Sequence, residues 1–81
     1  MTAKDLENAL LEIAKQFIEQ GPGYSQESVV LREAAQRLDI GPDLRAQQRL
    51  LNVWQELFRN RVLAWGYDLD NPSAPFFHLA Q

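Results

Sequence analysis

Two glycine–proline breaks, Gly21-Pro22-Gly23 and Gly41-Pro42, cut an otherwise helical apolar rhythm over residues 3–60 into three stretches. Each stretch has room for several helical turns, and none can bury its apolar stripe alone. From Ala3 to Gln20, Leu6, Leu10, Ile13, Ala14, Phe17 and Ile18 recur on one face. Thr2-x-x-Asp5 is placed to cap that helix as a capping box, with Asp standing where Glu is usual. A second helix is expected within Ser25–Leu38, with Ser25 or Ser28 as its cap and Val30, Leu31, Ala34, Ala35 and Leu38 facing inward. Glu33 and Arg37 stand one turn apart on its wet side. Asp39-Ile40-Gly41-Pro42-Asp43 then makes a turn. Gly41 suits the left-handed helix-end position, and Asp43 suits the cap of the next helix.

The third stretch, Leu44–Asn60, has two faces. At 100° per residue, Leu50, Leu51, Trp54, Leu57 and Phe58 gather on one side. Arg45, Gln48, Arg49, Asn52, Glu56 and Arg59 gather on the other. Leu50, Trp54 and Leu57 are expected to share one core with Leu10 and Phe17. After Asn60 the period changes. Residues 62–66 are β-branched and aromatic, Gly66–Pro75 is punctuated as a loop, and residues 76–80 return as a partner strand. The expected fold is therefore mainly α with a small β-hairpin, three helices and one domain over residues 1–81. Its last residues, Phe76 to Gln81, still read as strand, so the N-terminal domain of a longer protein stands as an alternative to a complete one.

The order helix, helix, turn, helix, hairpin is that of a winged helix-turn-helix. Arg32-Glu33-Ala34-Ala35-Gln36-Arg37-Leu38-Asp39-Ile40 resembles the first helix of a bacterial helix-turn-helix. Trp54-Gln55-Glu56-Leu57-Phe58 with Val62-Leu63 resembles a recognition helix entering the first wing strand. Gly66-x-Asp68-x-x-Asn71-Pro72-x-x-Pro75-Phe76-Phe77-His78-Leu79 is similar to the wing hairpin of a group of bacterial winged helices. The resemblance covers residues 25–80 and implies a cytoplasmic DNA-binding domain of a transcription regulator. The chain departs from it at three places. Arg61 stands where glycine is usual at the recognition-helix exit, so Asn60 or Arg61 must turn left-handed. The third helix is longer than usual, with Leu44 to Gln48 as an added turn. The wing carries Asp68 and Asp70 and no Lys or Arg.

The chemistry of the side chains excludes several functions. An 81-residue domain buries only about 60% of the surface of its unfolded chain and has little material for the walls of a deep cleft. His78 with Ser73 and Asp68 or Asp70 has the composition of a catalytic triad, but all of these groups share one short hairpin. Asp68-x-Asp70-Asn71 begins like a calcium loop, yet Pro72 and Ser73 fall where a ligand and a glycine are needed. Zinc is excluded by one histidine and no cysteine, and a phosphate loop by the missing lysine after Gly21-Pro22-Gly23. The absence of cysteine points to a reducing, intracellular setting. No signal-peptide pattern or membrane-length apolar run is visible. The expectation is a binding domain without enzyme activity or cofactor.

Two partners fit. The chain is acidic, with formal net charge −3, but residues 32–61 hold six of its eight basic residues against four acids. Arg45, Gln48, Arg49, Asn52 and Arg59 form a face suited to duplex DNA, because arginine pairs with guanine edges and amides with adenine edges. The alternative is a protein-interaction module without DNA binding that presents the wing aromatics Trp65 and Tyr67, a use that the acidic wing suits.

Overall fold

A computed structural model describes residues 1–80. The expected last position, Gln81, lies outside them. The chain runs α1 (Ala3–Gln20), β1 (Ser25–Gln26), α2 (Glu27–Arg37), α3 (Leu44–Arg59), β2 (Leu63–Trp65) and β3 (Phe76–Leu79). It is a three-helix bundle with a small antiparallel hairpin, mainly α and winged-helix-like. Among the described residues no helix is long and apolar enough to cross a membrane.

The helix ends show how the breaks work. Thr2 caps α1 with the full capping box: its hydroxyl accepts from the Asp5 N–H at 3.1 Å, and Asp5 Oδ2 accepts from the Thr2 N–H at 2.9 Å. Asp43 caps α3, accepting from the Ala46 N–H at 3.2 Å. The end of α2 differs from expectation. Asp39, not Gly41, takes the left-handed position that closes it, with φ 51°. The Ile40 N–H reaches back to the Ala35 carbonyl and the Asp39 N–H to that of Gln36, as in a Schellman motif. Gly41 is also left-handed, at φ 57°, but it serves the turn beyond. The exit of α3 repeats the motif. Arg61 has φ 58°, and the Val62 and Arg61 N–H groups return to Leu57 and Phe58.

Ser25 and Ser28 are not caps. Gln26 precedes α2 and makes no side-chain cap, and Ser25 lies in a strand that periodicity did not reveal. Two polar residues carry no strand pattern of their own. They are extended because β3 offers them a ladder, with Ser25 opposite Phe77 and Gln26 opposite Phe76. The Glu27 N–H continues that pairing to the Pro75 carbonyl at 2.9 Å. The sheet order is therefore β1-β3-β2, and the expected hairpin of β2 and β3 forms its other half, with Leu63 opposite Leu79 and Trp65 opposite Phe77.

The core joins α1, α2, α3 and the inner face of the sheet. Leu6, Leu10, Ile13, Ala14, Ile18, Val30, Ala34, Leu50, Trp54, Leu57, Leu63 and Phe77 are buried, with Phe17 and Phe58 packed half-buried against them. Trp54 lies at the centre. Its ring meets Phe77 edge-on at 5.1 Å and Phe58 at 5.0 Å between centroids. Its indole N–H donates to Glu27 Oε1 at 3.0 Å, so the one polar atom of this ring is satisfied. Leu51 does not join the core. It is 38% exposed, because its place on α3 faces a groove beside α2 that no side chain fills.

Candidate nucleic-acid interface

The outward face of α3 follows from the packing of the inward one. Leu50, Trp54 and Leu57 turn to the core, so the residues half a turn away must face water. Arg45, Gln48, Arg49, Asn52 and Arg59 are all exposed. They are not equivalent. The side chains of Arg45, Gln48 and Asn52 make no hydrogen bond or ion pair with any described residue, so their polar ends are uncommitted. They span roughly 10 Å along the axis at 1.5 Å per residue. Arg49 leans away toward α1 and donates from Nη2 to the Met1 carbonyl at 2.9 Å. Arg59 pairs with Glu56 at 2.9 Å, which offsets its charge on the same face.

No carboxylate occurs in α3 between Leu44 and Gln55. The half of the helix nearest Asp43 is thus cationic and amide-bearing, and the half nearest the wing is close to neutral. Two further arginines flank the face and were not among the expected site residues. Arg32 lies on α2 beside the groove, and Arg61 is exposed at the exit of α3. Both were visible as charges in the sequence; Arg61 follows α3 directly, whereas only the fold brings Arg32 alongside it.

The wing is built by hydrogen bonds rather than by burial. Asp68 Oδ1 accepts from the Asn71 backbone N–H at 2.7 Å and from its side-chain amide at 3.0 Å. The Tyr67 N–H donates to the Asn71 carbonyl at 2.9 Å. The spacing that resembled a calcium loop is thus the spacing of a self-capped turn. Beneath it, Gly66 has φ 92°, and a Cβ there would fall 2.5 Å from the Pro72 carbonyl carbon, so only glycine fits.

No protein-family model, curated protein or solved structure matches the chain. The hairpin motif therefore marks a winged-helix-like shape and not a particular family.

The aromatics of the alternative site are half-buried and already stacked. Trp65 lies on Phe58 at 3.8 Å and 8° between planes, and Tyr67 lies on Tyr24 at 4.0 Å and 12°. Burial among these rings, then the charge of Asp68 and the neighbouring Tyr24, push the Tyr67 phenol above its ordinary pKa. His78 sits on the opposite sheet face from Phe77, its Nδ1 at 2.6 Å from the Gly66 carbonyl. Among the described residues no cluster of His, Cys, Asp and Glu could hold a metal ion.

Proposed function

We propose that this chain is a non-enzymatic winged-helix binding module of a regulator that contacts duplex DNA through the outward face of α3. The observation that carries the reading is the uncommitted trio Arg45, Gln48 and Asn52 on a carboxylate-free stretch of exposed helix. Arginine and amide side chains in that mix read base edges in a major groove. Arg49 and Arg59 supply phosphate contacts once their present partners, the Met1 carbonyl and Glu56, give way. The acidic wing does not share in this contact and stands away from the backbone.

A fluorescence titration of mixed-sequence duplex at several salt concentrations tests this. Arg49 and Arg59, with the exposed Arg61 at the exit of α3, give three phosphate contacts and a log–log salt slope of about −3. Arg45→Ala is expected to weaken binding more than Arg59→Ala, because Arg59 is already paired. Absence of binding tighter than about 100 μM at low salt ends the DNA reading. The acidic wing favours a second reading, a protein-interaction module that uses Trp65 and Tyr67. Binding of a protein partner that is indifferent to salt and lost with Tyr67→Ala would support it.

A further inference from the structure

Leu69 stands at the tip of the wing with 97% of its surface exposed, more than any other large apolar residue described. It is held there, because the Asp68–Asn71 turn closes on both sides of it. A leucine fixed in water forfeits the transfer free energy of its side chain, and a pre-formed loop loses little entropy on docking. Its chain neighbours are Asp68 and Asp70, both exposed. The tip is thus an apolar knob in an acidic collar, and its complement is an apolar hollow with a cation at the rim and no carboxylate.

The groove between α2 and α3 has that chemistry. Leu31, Ala35, Leu50 and Leu51 line about 390 Å³, with Ser28, Arg32 and Gln47 around them and no acid. Arg32 has no ion-pair partner among the described residues. The hollow between the start of α1 and α3 sets Asp39 and Asp43 against Arg49, and the shallow one beyond α2 sets Asp39 beside Arg32, so neither is free of carboxylate. The hollow beside β2 and β3 has Arg61 and no acid, but its lining is as polar as it is apolar, whereas that of the α2–α3 groove is mainly apolar.

We propose that the wing tip of one chain docks into the α2–α3 groove of a second copy, with Leu69 against Leu51 and Leu31 and Asp70 opposite Arg32. Knob and groove lie on different parts of the chain, so every copy offers one of each. A two-fold pair satisfies both contacts at once, and without that symmetry copies join head to tail. The interface is small, so association belongs to the high-micromolar range. None of this rests on the DNA reading.

Sedimentation equilibrium of the whole chain from about 10 μM to about 1 mM tests the proposal over the range expected of a weak complex. The average mass is expected to climb above the 9.3 kDa of one chain. Leu69→Ser, Arg32→Asp and Asp70→Arg are each expected to return it to the single-chain mass, with the far-UV circular dichroism of the wild type. Mixing Arg32→Asp with Asp70→Arg protein is expected to restore association, because the reversed groove of one then fits the reversed wing of the other. A wild-type mass that stays at one chain throughout, or association that survives Leu69→Ser, overturns the proposal. So does a mixture of the two charge variants that stays monomeric.

Discussion

Trp54 and Leu69 stand at the two extremes of exposure, 0% and 97%, and the regions around them are held by different forces. The helical body is an apolar assembly in which aromatic rings meet edge-on around one indole. Beyond its paired strands the wing loop, residues 66–75, is mostly exposed and keeps its shape through backbone hydrogen bonds, an aspartate cap and a glycine pressed against Pro72. The body is thus governed by volume and the wing by dihedral angles and polar partners. A change of side-chain size matters in the first, and a change of backbone freedom in the second.

The sharpest way to break that contrast is to empty the centre of the body. Trp54→Ala should cost about 3–5 kcal/mol, a large part of the roughly 5–15 kcal/mol that holds a domain together. A thermal melt within a few degrees of the wild type would remove Trp54 from the centre of the core. Gly66→Ala adds one methyl group to the wing where φ is 92° and Pro72 is in the way. It should cost about 2–3 kcal/mol. Amide exchange should show protection lost at Tyr67 and Asn71 while α1 and α3 keep theirs. Equal loss in both would show that the wing has no separate basis. The smallest effect has the opposite sign. Arg61→Gly relieves a left-handed arginine at φ 58°, offset by the entropy glycine loses on folding. A net gain of about 0.5–1 kcal/mol should raise the melting temperature by several degrees. No gain would mean that the arginine side chain returns as much as its backbone costs.

The same contrast decides what the sequence could reveal. The body was legible because burial leaves a period: the stripes on α1 and α3 name Leu10, Leu50, Trp54 and Leu57, all buried. The strain at the exit of α3 was legible too, since Arg61 occupies the place where glycine is easy. Leu51 misled, because a wheel places it beside Leu50 but cannot show that the adjoining groove is empty. Strand β1 left no trace, since Ser25 and Gln26 become a strand only through β3, about fifty residues along the chain. The outward face of α3 was readable as a set of residue types. Its division into uncommitted Arg45, Gln48 and Asn52 and engaged Arg49 and Arg59 was not, because the Met1 carbonyl reaches Arg49 only after α1 and α3 pack.

Glu27 belongs to both regions. Its backbone N–H holds the Pro75 carbonyl at the foot of the wing, and its carboxylate holds the Trp54 indole inside the body. One residue thus pins the foot of the wing to the hub of the bundle, as a rivet joins two plates.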